Sequence, residues 1–226
     1  MNQLLTLEKL KEIDSQRMYQ IYDKWPNMAQ DCYGRSLQKI DSKDIEHVVF
    51  VGMGGSGAIG DAFSSILSKM DIHVTVVKGY LLPKTVNKNT LVVCTSISGN
   101  TDETLTVLQN SKKNNGKFIG LSSGGLMEEF CKKNSIDFYK IEKEHSPRAS
   151  FINFFYSALN ILEPIMPIDK KDVKESIISL YNQKKEIDTN NLNHENSSLE
   201  LADWIKSIPL VYYPWGLQSA AIRFKN

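Results

Sequence analysis

Cysteine is scarce in this chain and unpaired. Cys32, Cys94 and Cys131 are the only three in 226 residues, and their spacing matches no paired pattern. An odd, scattered set excludes a disulfide framework and predicts reduced thiols in a cytoplasmic protein. Excess charge of one sign is lacking too. With 27 basic and 26 acidic residues the formal net charge is +1, which gives no electrostatic case for nucleic acid or an anionic membrane as the main partner. Long apolar runs are missing. Residues 151–168 are the most apolar stretch, but Asn153, Asn160, Glu163 and two prolines interrupt it, so no bilayer span is expected. Residues 1–14 hold no apolar run of the kind found in secretion signals, and none is expected there. His47, His73 and His194 share no ligand spacing with Cys, Asp or Glu, so no metal site is expected.

Alternation dominates what is present. Apolar residues recur at roughly helical spacing from Leu7 to Trp25, and Pro26 is expected to end that helix. A second helix is expected over residues 28–40. Short β-branched runs at 48–51, 72–77, 91–95, 118–121 and 138–141 then read as strands. Helical patterns lie between or after them at 58–70, 102–113, 126–133 and 149–162. Continuously apolar strands are covered on both faces. Strand–helix alternation means an α/β fold with a five-stranded parallel sheet, doubly wound and flanked by helices. After Pro167 the composition turns polar. Helices are expected at 172–187 and 199–205, a new strand at 210–213, and a helix from Gln218.

Two loops carry chemistry. Gly52-Met53-Gly54-Gly55-Ser56-Gly57 follows a strand and opens a helix. It satisfies G-x-G-x-x-G, yet the second strand ends Val77-Lys78-Gly79, without the acidic residue that would hold a cofactor ribose. No dinucleotide cofactor is expected. A tight packing turn is the bland reading. The chemical one is an anion site at a helix N-terminus, formed by the N–H groups of Gly54, Gly55 and Ser56. The second loop, Ser96-Ile97-Ser98-Gly99-Asn100-Thr101, lies at the same end of another strand. Asn100 and Glu103 can form a capping box for the next helix. That leaves Ser96, Ser98 and Thr101 as hydroxyls able to surround a phosphate. The pair of loops suits a sugar phosphate.

These motifs in order resemble a sugar isomerase (SIS) domain, and more narrowly the bifunctional phosphoglucose/phosphomannose isomerases. Pro147-Arg148-Ala149 resembles the family's Pro-Arg-Ala, and residues 211–225 resemble the opening of a second SIS domain. The resemblance implies N-terminal helices at 1–40, a first SIS domain at 41–167, a helical linker at 168–208 and an incomplete second SIS domain at 209–226. It implies interconversion of glucose or mannose 6-phosphate with fructose 6-phosphate through an enediol, and a homodimer. Ser56, Ser96, Ser98 and Thr101 match phosphate-holding residues, with Gly54, Gly99 and Asn100 in the same loops. Gly55 matches a backbone contact near the reacting carbons. Arg148 matches the catalytic arginine at the C1–C2 end; read without the family, it is equally a helix-start residue in a surface ion pair. His145 is not assigned. The family's base, ring-opening histidine and C-terminal lysine follow an Arg-x-Lys pair. Here Arg223-Phe224-Lys225 is followed only by Asn226, so the resemblance implies that this stretch lacks turnover. A non-catalytic sugar-phosphate binding or regulatory module is the alternative. Finally, Phe151, Phe154, Phe155, Ala158, Leu159 and Leu162 make a wide apolar stripe. Either a second domain or subunit covers its excess, or the helix is buried within one subunit.

Overall fold

The computed structural model describes residues 5–225; Leu4, in the expected first helix, and Asn226 lie outside them. Five strands form one parallel sheet: β1 (His47–Val51), β2 (His73–Val77), β3 (Thr90–Ser96), β4 (Lys117–Ser122) and β5 (Asp137–Lys140). Their order is β2-β1-β3-β4-β5. The expected α/β architecture is what the chain adopts. Every residue of β1 and β3 is buried, while the edge strands β2 and β5 are partly open. Side chains alternate between two cores. Val48, Phe50, Leu91 and Val93 face one, and Val49, Val51, Val92 and Cys94 face the other.

Helices cover both faces. On the first lie α2 (Met18–Gly34), α3 (Gly54–Leu67), α6 (Phe151–Ile161) and α7 (Lys170–Ile187). On the second lie α4 (Asp102–Gln109) and α5 (Gly125–Lys133). Helices α1 (Leu7–Ile13), α8 (Ser197–Trp204) and α9 (Gln218–Lys225) complete the set. Burial pushes the Cys131 thiol up to about 11 and the Cys94 thiol further up, so both are inert core hydrophobes.

The structure corrects four expectations. The N-terminal helix breaks at residues 14–17, where Arg17 takes φ +57 and the Asp14 carboxylate accepts the Tyr19 N–H. Helix α2 then runs through Pro26 and stops at Gly34. Proline forfeits one helical hydrogen bond, but Pro26 is buried, and the packing of α2 on α6 and α7 offsets that loss. Residues 210–213 form no strand; Leu210 and Tyr212 are exposed, and a strand without a neighbour leaves its backbone unpaired. Asn100 and Glu103 do not cap α4: Thr101 is its N-cap, without a side-chain bond. Of the two readings of α6, burial within one subunit is the one observed: its apolar excess is covered within this chain. Eight of its residues between Phe154 and Ile161 are accounted for, all but Phe155 buried, and Phe155 packs its ring 5.4 Å from Phe63 of α3.

Candidate active site

Strand β1 feeds α3 on one face of the sheet, and β3 feeds α4 on the other. The two chain exits therefore diverge, and a crevice opens between them at the carboxyl ends of the strands. A cavity of about 500 Å³ occupies that place. Its walls are Met53 to Ser56, Ile97, Ser98, Thr101, the loop from His145 to Arg148, Met18 and Arg223.

Each wall has a local cause. Gly54 turns the chain into α3 with φ +51, a left-handed conformation that glycine adopts without steric cost. The Met53 carbonyl takes the N–H groups of Ser56 and Gly57, so Ser56 does not offer its amide to the cavity as expected. The amides of Gly54 and Gly55 have no acceptor among the described residues, and neither has the Ser56 hydroxyl. These groups stand at the positive end of the α3 dipole.

The second loop is held from behind. Ser96 is buried, accepts the Gly99 N–H at 3.0 Å and lies 2.8 Å from Thr101 Oγ1. Gly99 takes φ +74; a Cβ there would lie 1.8 Å from the Gly124 carbonyl oxygen. Asn100 Oδ1 accepts the Leu126 N–H and so caps α5, not α4. The Ile97 carbonyl accepts the Ser123 hydroxyl at 2.7 Å. What this loop turns to the cavity is Ile97 and the polar pair Ser98 and Thr101.

The third wall rests on the N-terminal helices. Trp25 Nε1 donates to the Ala149 carbonyl at 2.9 Å, and Ser150 Oγ bonds the Ser146 carbonyl at 2.7 Å. Arg148 is exposed at the cavity, and its carbonyl accepts from Arg223 Nη2 at 3.0 Å. Arg223 also lies over the Phe151 ring at 4.9 Å. Burial pulls its pKa below the ordinary arginine value; the neighbouring Arg148 charge acts the same way, and Tyr22 opposes both.

Of the nine residues singled out in the sequence, Gly54, Gly55, Ser56, Ser98, Thr101 and Arg148 line the cavity. Ser96, Gly99 and Asn100 stand behind the loop. Sequence reading missed Arg223, Met18 and Tyr22. The Arg-x-Lys pair marked Arg223, but nothing local placed it beside residues 55 and 148. No carboxylate is among the lining residues. Two guanidiniums, free amides and the hydroxyls of Ser56, Ser98, Thr101 and Ser146 have the chemistry to hold an anion carrying several oxygens. Among the described residues no group of three or more His, Cys, Asp or Glu side chains could hold a metal, and no helix is long and apolar enough to cross a membrane.

The SIS domain family matches residues 43–163, the sheet and the helices that bear these loops. The chain belongs to that family. It is 31% identical to a bifunctional phosphoglucose/phosphomannose isomerase of Caldicellulosiruptor bescii, over 86% of this chain and 60% of that protein. It is 35% identical to the protein of the same name from Aquifex aeolicus, over 62% of this chain and 45% of that one. The fold of tagatose-6-phosphate ketose/aldose isomerase from Escherichia coli is similar, with a TM-score of 0.56 at 15% identity, covering 96% of this SIS chain and 58% of the other. The chain spans about half the length of the curated relatives it matches.

Proposed function

We propose that this SIS chain binds a hexose 6-phosphate and supplies the phosphate-holding half of an aldose–ketose isomerase acting on glucose and mannose 6-phosphates. The observation that carries the reading is the carboxylate-free cavity at the switch point. The hydroxyls of Ser56, Ser98 and Thr101, with the first amides of α4, hold the phosphate. The order Ser96 to Thr101 to phosphate gives each hydroxyl proton an acceptor. Arg148 faces the C1–C2 end. There a base takes the C2 proton, electrons move onto the C1 carbonyl oxygen to give an enediolate, the O2 proton passes to O1, and the base returns its proton to C1, leaving the carbonyl at C2. A fixed cation beside that oxygen lowers the barrier.

With no carboxylate at the walls, the base comes from outside the described residues. Residues 168–208 are then a linker and 209–226 the opening of a second SIS domain. The family match ending at 163 and the packing of α9 on α3 support this division. A homodimer belongs to the same proposal. Its support is the exposed apolar run of Trp204, Ile208, Leu210, Tyr212 and Trp215, not α6.

The test is calorimetric titration of fructose 6-phosphate into the wild type and a Ser98→Ala/Thr101→Val variant. Each lost bond to the dianion should cost about 1.5–3 kcal/mol; equal affinities would overturn the assignment. A coupled isomerase assay beside light scattering separates the alternatives. Binding without turnover by this chain, with activity in a chain extended to the relatives' length, fits the isomerase half. Binding with no activity in either form fits a regulatory module. Turnover by residues 1–226 alone would make His145, which lines the cavity, the group to test as base.

A further inference from the structure

We propose that Arg223 is a second cationic contact to the reacting end of the sugar, so that α9 completes the site built by the SIS domain. This rests on the sugar-phosphate reading above. Helix α9 lies on α3, where buried Ser219 donates its hydroxyl to the Ala58 carbonyl at 2.7 Å. That anchor aims Arg223, one turn further on, back over the cavity. Its contacts are the Arg148 carbonyl, the Tyr22 hydroxyl, the Phe151 ring and Gly55, whose Cβ, if it had one, would stand 3.9 Å from Arg223 Nη1. None of them belongs to the 96–101 loop. Arg223 is therefore part of the wall made by residues 55 and 148.

No salt bridge joins Arg223 to a carboxylate among the described residues. A guanidinium carries five N–H donors in a planar fork; one is committed to the Arg148 carbonyl and another to the Tyr22 hydroxyl. The rest of the fork stands near a second guanidinium and near the positive end of α3. Half-buried cations are ordinarily paired. This arrangement is repulsive when empty and is relieved by negative charge placed between Arg148, Arg223 and the Gly54 and Gly55 amides. A neutral ground-state carbonyl brings little such charge, whereas an enediolate oxygen brings a full one. The cluster therefore binds the reaction's intermediate more strongly than its substrate. Stacking on Phe151 fixes the plane of the fork at little conformational cost.

Two ligands of equal phosphate and different far ends test this. One is 5-phospho-D-arabinonate, whose carboxylate stands where the enediolate forms. The other is D-glucitol 6-phosphate, which is neutral there. Both are titrated calorimetrically into the wild type, Arg223→Gln, Arg223→Lys and Thr101→Val. The wild type should prefer the carboxylate. Arg223→Gln should reduce that preference at least about tenfold, Arg223→Lys should restore part of it, and Thr101→Val should weaken both ligands alike. Each preference is a ratio measured in one preparation, so a smaller folded fraction cancels. Binding of neither ligand by the wild type would overturn the sugar-phosphate reading itself. Binding of both, with an unchanged ratio in Arg223→Gln, would overturn the role of Arg223 and leave that reading standing.

Discussion

Ser96 Oγ lies 2.8 Å from Thr101 Oγ1, tying the last residue of β3 to the N-cap of α4. The buried hydroxyl orients the one at the cavity. Thr101→Val should lower the affinity for fructose 6-phosphate by about 1.5–3 kcal/mol, the loss of a bond to a charged group. Ser96→Ala should cost less affinity. The Gly99 N–H keeps the Ser96 carbonyl as acceptor at 3.0 Å, so the loop holds and only the hydroxyl chain is cut. Calorimetry on the two single variants decides the order. A larger loss for Ser96→Ala would place that side chain on the ligand.

Gly99 and Gly54 both have positive φ, but their surroundings differ. A Cβ on Gly99 would collide with backbone at Gly124, whereas one on Gly54 would meet nothing within 4 Å. Gly54→Ala should cost only the left-handed backbone, about 1–2 kcal/mol. Gly99→Ala should cost more than about 3 kcal/mol, because a carbonyl cannot swing aside as a side chain can. Urea unfolding of the two variants measures this; equal midpoints would show that the 96–101 and 122–126 loops part easily.

Acid should destabilise the chain through His47. Its ring is buried between the Thr75 and Thr90 hydroxyls, 4.7 Å from the His73 ring. Burial, and then the His73 charge, hold its pKa below the ordinary histidine value. The unfolded chain therefore takes up this proton first as pH falls through about 6.5. Stability is fully present above that pH and is lost below it, until the folded value is passed. The slope from this one group is at most about 1.4 kcal/mol per pH unit. Urea midpoints from pH 8 to 5 should fall less steeply in His47→Gln than in the wild type; parallel curves would remove His47 from the account.

No dinucleotide should bind. Lys78 follows β2 directly and meets the Asp61 carboxylate of α3 at 2.6 Å, its stem passing over Gly57. A cation and its buried partner fill the place where a cofactor ribose would need a free acid. Saturable binding of NAD or NADP at micromolar concentration would refute this. Asp61→Asn should also lower stability by about 1–3 kcal/mol, since it leaves an amide facing Lys78 where a charge stood.

Much of the fold was legible because period and composition are local. The β-branched runs at β1 and β3 read as buried strands, and the 14 residues of α3 begin at a glycine turn that a strand-to-helix exit needs. The same holds for the walls of the site at Gly54, Ser56, Ser98 and Thr101, which neighbouring residues position. Errors came where local rules lost to packing. Pro26 sits inside α2 because it is buried where that helix packs into the chain, and residues 210–213 stay irregular because no strand lies beside them among the described residues.

Residue types at the strand ends determined where an anion site is to be sought, because hydroxyls and glycine amides at a helix N-terminus have that chemistry wherever they lie. Only the tertiary structure decided which of them face the cavity. Asn100 turned from α4 to α5, Ser96 was drawn behind Thr101, and Arg223 was carried from α9 to within reach of residues 55 and 148. Those outcomes depend on contacts between residues as many as 75 positions apart. The energy of such contacts comes from desolvation and packing in the assembled chain, which no local pattern encodes.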